Sequence, residues 1–159
     1  MTCASSIQID ASPQRARNLF PFAEQACHLQ IMEAKTNDCL FCNIPSERII
    51  AENEYAFAMY DEYPVTDGHA LIIPKRHVDD YFQMTPDELL GCDALLKQVR
   101  EAVLSSDNSV AGFNVGMNAG MAAGQTIFHC HIHLIPRREG DVENPRGGVR
   151  HVIPDKGNY

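Results

Sequence analysis

Three of the chain's seven histidines fall in the stretch "GQTIFHCHIHLIPRREGD", residues 124–141, as His129, His131 and His133. Each is separated from the next by one apolar residue. In an extended strand, residues i, i+2 and i+4 share a face. The spacing therefore predicts a row of three imidazoles with Cys130, Ile132 and Leu134 as an apolar back, the alternation of a half-buried strand. A helix would spread the same rings round its axis. Gly124 precedes the run, and Pro136 with Arg137 and Arg138 closes it. Near pH 7 a neutral imidazole is a nucleophile, a proton carrier or a metal ligand. A lone histidine on a strand is ordinarily structural, but three in register demand more. An expression tag is excluded, because the run is internal and alternates with apolar residues. Two of the three can share one ion, yet the outer pair lies roughly 13 Å apart at about 3.3 Å per residue. Different histidines are therefore expected to have different tasks.

Just before this row lies "AGMAAGQ", a connection of small residues ending at Gln125, with Thr126 next. Such a loop lets backbone amides approach an anion closely. Alone it reads as an ordinary hairpin loop, but beside the imidazoles phosphate binding is the better reading. A histidine that attacks phosphorus forms an adduct that water can later cleave, and a second imidazole can hold a phosphoryl oxygen or pass a proton. The constellation points to phosphoryl or nucleotidyl transfer through histidine. A separate feature is "DCLFCNI", where Cys39 and Cys42 have the spacing of a zinc knuckle. A redox pair is the alternative, though no thioredoxin-like unit surrounds it. A zinc site needs two further ligands, for which the histidines are the candidates. Of the other four cysteines, Cys92 and Cys130 fall at core positions, while Cys3 and Cys27 are uninformative.

The elements that must position these groups can be read along the chain. Its 159 residues suit one domain with a sizeable core. Residues 1–36 read as an extension with a short helix within residues 14–34, interrupted by Pro21. "RIIAENE", "YAFAMYDEY" and "HALIIPKRH" read as strands, with turns at Asn53-Glu54 and Thr66-Asp67-Gly68. Thr85, Pro86 and Glu88 form a helix start with a capping box. That helix should run to about Leu104, with Leu89, Cys92, Leu96, Val99 and Val103 as its apolar stripe. "GFNVGMN" is another strand, and the tail over residues 141–159 is a surface wrap rich in glycine and proline. A net charge of −8 argues against bulk nucleic-acid or anionic-membrane binding. No apolar run approaches the ~20 residues of a membrane span. No export signal is visible, so the expectation is a cytoplasmic protein with reduced thiols.

Taken together, "DCLFCNIP", "YDEYPVTDGHALIIPKRH" and "NAGMAAGQTIFHCHIHLIPR" resemble, in order, segments of the histidine triad (HIT) family. The match covers about residues 38–138, with the domain placed at 37–140. The resemblance implies an α+β fold, an antiparallel sheet of about five strands with one long and one short helix, usually in a homodimer. It implies a hydrolase or transferase acting at the α-phosphate of a nucleotide, an adenine nucleotide by preference. It casts His131 as the nucleophile, His133 as a phosphate ligand and Gln125 as a neighbour of the leaving group. Asn118 and Thr126 would lie near the phosphates, Asp61 at the ribose, and Phe41 and Ile44 around the base. Bacterial members similar to this chain hold a structural zinc, which here implies Cys39, Cys42, His77 and His129. His69 competes with His77, which matches the family position.

Within that class a dinucleoside polyphosphate hydrolase of the diadenosine tetraphosphate type is expected, with a purine nucleoside phosphoramidase as the alternative. A non-catalytic nucleotide-binding or interaction protein is a second class. A metal-dependent oxygenase-type barrel is a third, but it needs a carboxylate ligand and more strands than the chain offers.

Overall fold

The structure is a computed structural model and describes residues 38–157. The extension and its short helix therefore lie outside the described residues. Five strands form one antiparallel sheet: β1 (Ile49–Glu52), β2 (Ala56–Tyr60), β3 (Ala70–Pro74), β4 (Val110–Gly116) and β5 (Ile132–Arg138), in the order β1-β2-β3-β5-β4. One long helix, α1 (Pro86–Ser106), crosses between β3 and β4. Among the described residues the only other helical pieces are short 3₁₀ turns, so the expected second helix is not an α-helix there.

Local chemistry explains the joints. At the β1–β2 turn, Asn53 Oδ1 accepts from the N–H groups of Tyr55 and Ala56, both at 2.9 Å. Its Nδ2 donates to Gly91 O at 2.8 Å, tying the turn to α1. The capping box forms as the sequence implies: Thr85 Oγ1 accepts from Glu88 N–H, and Glu88 Oε2 from Thr85 N–H. The stripe on α1 differs slightly from expectation. Leu95 is buried and Leu96 only partly so, and Glu88 joins the buried face. Glu88 tolerates burial because Arg76 grips both its oxygens, at 2.7 and 2.8 Å. Leu89 and Leu96 are left on a half-buried shoulder of the helix.

The sheet has two unlike faces. Ala56, Ala58, Ala70, Ile72, Cys130, Ile132 and Leu134 pack with Cys92, Leu95, Val99 and Val103 of α1. On the opposite face Phe57, Met59, Leu71 and Ile73 pack with Phe41, and Ile44 and Ile127 border them. The register sets His133 beside Leu71 and Gly116, on this second face. The expected alternation therefore holds from Cys130 to Leu134, but the ladder is shorter than the sequence implies. β5 begins at Ile132, so His129 and His131 precede it. Continuing the β3–β5 register would set Cys130 opposite Pro74, which has no N–H to donate. Cys130 N–H instead donates to Val78 O at 2.7 Å. No helix among the described residues is long and apolar enough to cross a membrane.

Candidate active site and metal cluster

The three histidine rings are joined in a row, His131 directly to His133 and His129 to His131 through the Phe41 ring. His131 and His133 have centroids 5.1 Å apart, and the Phe41 ring packs edge-on against both His131 and His129. His131 is buried, and its Nδ1 lies 2.8 Å from His129 O. A carbonyl only accepts, so Nδ1 carries the proton and the lone pair of neutral His131 is on Nε2. His133 is held differently. Its Nδ1 lies 2.9 Å from His69 Nε2. Val65 N–H donates to His69 Nδ1 at 3.3 Å, which places the proton of neutral His69 on Nε2, facing His133. His133 then accepts at Nδ1 and presents Nε2–H outward. Burial pushes the His133 imidazole down to about 4, assisted by His131 and His69 against the pull of Asp61. Burial also lowers His69, again opposed by Asp61.

Asp61 follows β2 and reaches this pair, with Oδ2 3.5 Å from His69 Nδ1 and 3.9 Å from His133 Nδ1. Its Oδ1 accepts from Tyr63 N–H at 2.9 Å, which fixes the carboxylate. Phe41 and Ile44 line a cavity of about 190 Å³ with Ile49, Phe57 and the Glu52–Lys75 ion pair. His69, weighed as a metal ligand from the sequence, thus belongs with His133 and Asp61. His69 lies just before β3 and two residues from Leu71, whose partner is His133, and that register is the signal that would have placed it.

The other end of the row meets the cysteine pair. Cys39 and Cys42 flank and enter a 3₁₀ turn, Leu40–Asn43, that lies against the site face. Their Sγ atoms lie 3.4 and 3.6 Å from His129 Nδ1, and Cys42 Sγ lies 3.3 Å from His77 Nδ1. The donor atoms of these four residues all fall within 4.8 Å of one another. A tetrahedral centre with metal–sulfur bonds of about 2.3 Å and metal–nitrogen bonds of about 2.0 Å has sulfur–nitrogen edges of about 3.5 Å. The second ring nitrogen of His129 is hydrogen-bonded as a ligand histidine requires, and that of His77 has a carboxylate nearby. His129 Nε2–H donates to Pro74 O at 2.8 Å, and His77 Nε2 lies 3.6 Å from Asp79 Oδ1. The structure therefore groups His77, not His69, with the cysteines and His129. Asp79 drew no attention in the sequence, because its role exists only once His77 is placed.

The glycine-rich connection turns at Gly120 and Gly124, both at φ +86°, a backbone region that favours glycine. Asn118 borders the mouth of this loop: a Cβ added to Gly124 would come 3.9 Å from Asn118 Nδ2. Gln125 is buried, and its amide is bound within the protein. Nε2 donates to Asp79 O and Ile127 O, and Oε1 accepts from Gly120 N–H. Thr126 is exposed and lines a cavity of about 400 Å³ with Cys39, His77, Asp79 and Phe128. The structure thus brings His131, His133, Asp61 and Phe41 together, and sets Thr126 towards the cysteine cluster.

An antiparallel sheet backed by one long helix, with an alternating histidine row leading into its interior strand β5, defines a histidine triad protein. The chain belongs to the HIT family, whose HIT domain matches residues 43–140. It is similar to a 16.1 kDa HIT-like protein of Mycoplasma pneumoniae, 39% identical over 115 residues, covering 70% of this chain and 79% of that one. It also resembles adenylylsulfatase HINT3 of Arabidopsis thaliana, 36% identical over 110 residues, covering 66% of this chain and 55% of the relative. Among solved structures, the zinc-bound histidine triad family protein of Mycobacterium smegmatis superposes with a TM-score of 0.59 at 38% identity. That superposition covers 65% of this chain and 78% of the other.

Proposed function

We propose that the protein is a nucleotide hydrolase acting at the α-phosphate, most suited to dinucleoside polyphosphates. The observation that carries this reading is the hydrogen-bonding of His131. With Nδ1–H held by His129 O, the neutral ring carries its lone pair on Nε2, directed away from the backbone. Attack forms an Nε2–phosphorus bond and breaks the bond to the leaving group. Water then cleaves the nucleotidyl-histidine and releases a nucleoside monophosphate. His133 donates Nε2–H to a phosphate oxygen, an interaction that strengthens as charge develops there. Asn118, at the mouth of the glycine-rich loop, donates to the same phosphate from its side-chain amide. Asp61 accepts from the ribose hydroxyls, and Phe41 and Ile44 offer apolar surface to an adenine base. Relatives bearing hydrolase names, such as adenylylsulfatase HINT3, support the class.

A structural zinc held by Cys39, Cys42, His77 and His129 fits the separations of their donor atoms and the bonds made by both imidazoles. When bound, it supplies a crosslink between the segment before β1 and the histidine segment. A homodimer is also proposed, supported by the place of β4 at the edge of the described sheet and by the exposed Leu90 and Val115 beside it.

The test of activity is a substrate panel of dinucleoside tri- and tetraphosphates, nucleoside phosphoramidates and adenylyl sulfate, with mass spectrometry of quenched reactions. Wild-type protein is expected to carry a nucleotide on His131 and to favour the polyphosphates. His131→Ala should lower turnover by on the order of a thousandfold while remaining folded. A folded His131→Ala protein with near-normal turnover would refute the mechanism, and preference for phosphoramidates would reassign the substrate.

A further inference from the structure

Gln125, four residues before His129, has both of its amide hydrogens engaged within the protein. Its side chain is 4% exposed. One Nε2 hydrogen is directed to Asp79 O at 2.5 Å and the other to Ile127 O at 3.1 Å. Its Oε1 accepts from Gly120 N–H at 2.7 Å. An amide has two donor hydrogens, so contact with a leaving group would require breaking a buried bond. Gly120 is where the glycine-rich loop turns, and its N–H is pinned by Gln125.

Asp79 faces both ways. Its backbone carbonyl holds Gln125, and its carboxylate lies 3.6 Å from Nε2 of His77. His77 presents its other nitrogen to Cys42 Sγ at 3.3 Å. The adjacent Val78 O accepts from Cys130 N–H, so residues 77–79 are also fixed to the histidine segment. A continuous series of contacts runs from the cysteines through His77, Asp79 and Gln125 to the amide of Gly120.

We propose that Asp79 and Gln125 are positioning residues that couple the Cys39–Cys42–His77–His129 cluster to the glycine-rich loop, so that metal occupancy sets the loop's geometry. This rests on the reading that the cluster binds zinc and that the loop meets phosphate. It departs from the role at the leaving group that the family resemblance implies for Gln125.

Amide hydrogen exchange at Gly120, followed by NMR on the full chain, tests the coupling without any substrate. In zinc-loaded protein the Gly120 amide is expected to exchange slowly. Chelation should speed it roughly tenfold or more, with amides of the β4–β5 ladder unchanged. Gln125→Leu should make Gly120 exchange fast with zinc bound and insensitive to chelation. Asp79→Ala should release zinc to a chromogenic chelator about ten- to a hundredfold faster, as loss of such outer partners does. It should also raise Gly120 exchange. If chelation unfolds the ladder too, the two variants, measured with metal present, decide the question. For turnover, Gln125→Leu should raise KM more than it lowers kcat, equally for good and poor leaving groups. Unchanged Gly120 exchange on chelation of a folded protein or in Gln125→Leu overturns the proposal. So does a kcat loss in Gln125→Leu that depends on the leaving group. A protein that hydrolyses nothing yet shows zinc-sensitive exchange at Gly120 would keep the coupling and remove the activity.

Discussion

His131 and His133 share a face and a chemistry, yet different partners hold their Nδ1 atoms. His131 donates there to the backbone carbonyl of His129, whereas His133 accepts there from His69. The second arrangement has a measurable cost in acid. The ordinary imidazole value is near 6.5, and burial takes folded His133 to about 4. Between those values the unfolded chain binds a proton that the native site refuses, so stability rises with pH there. The contribution from neutral His133 is full above about 6.5 and is lost as pH falls towards 4. Thermal melts at about pH 7 and about pH 4.5 should therefore diverge strongly for wild-type protein and less for His133→Asn. An equal divergence would place the acid sensitivity at other groups. The sequence carried enough to mark these residues, because a two-residue spacing has one meaning in extended chain. It could not divide His69 from His77, since that depends on the register of β3 against β5. Nor could it foresee Asp79 or the engagement of Gln125, whose partners lie 46 residues away for the shortest of these bonds.

At the level of elements, local signals were legible wherever they were self-contained. The capping box, Pro86, the Asn53 turn and the short apolar runs of β2 and β3 all need only neighbours along the chain. The start of β5 did not, because Pro74 on the facing strand decides where the ladder stops. Residues 39–44 depend even more on tertiary contact. They make no strand, and hold to the site through Phe41 against two imidazoles and through the thiols near His129 and His77. Removing one thiol should therefore release a whole segment. Cys39→Ser is expected to lose zinc and to melt roughly 10 °C lower, a shift of a few kcal/mol, because binding energy at such a site appears as folding energy. His131→Ala should melt close to the parent. Metal analysis of chelator-free preparations, paired with melting curves, separates the two variants. Zinc-free protein that is folded and active would return the C-x2-C pair to coincidence and His129 to support of the row.

Among the described residues, one side of the sheet is incompletely covered, with only the 3₁₀ turn Gly148–Val152 of the tail in contact with β4. β1 and β4 are the edge strands, and β4 carries Val115, 44% exposed, next to Leu90 of α1, 68% exposed. Between them Leu89, Leu96, Met117 and Ile132 line an apolar cavity of about 400 Å³. The half-buried shoulder of Leu89 and Leu96 is part of the same surface, so the small departure from the expected stripe acquires a reason at this scale. An exposed strand edge with apolar flanks invites pairing with another chain unless it is covered. A second copy related by a two-fold axis would cover it with the same patch, as symmetric dimers do. Leu90→Glu and Val115→Lys each place a charge in that patch without touching the histidine row. At micromolar concentration, sedimentation of the wild-type chain should give a dimer and that of the double variant a monomer. A wild-type protein that sediments as a single chain would refute the dimer, and a dimer that survives the double variant would move its interface to another face.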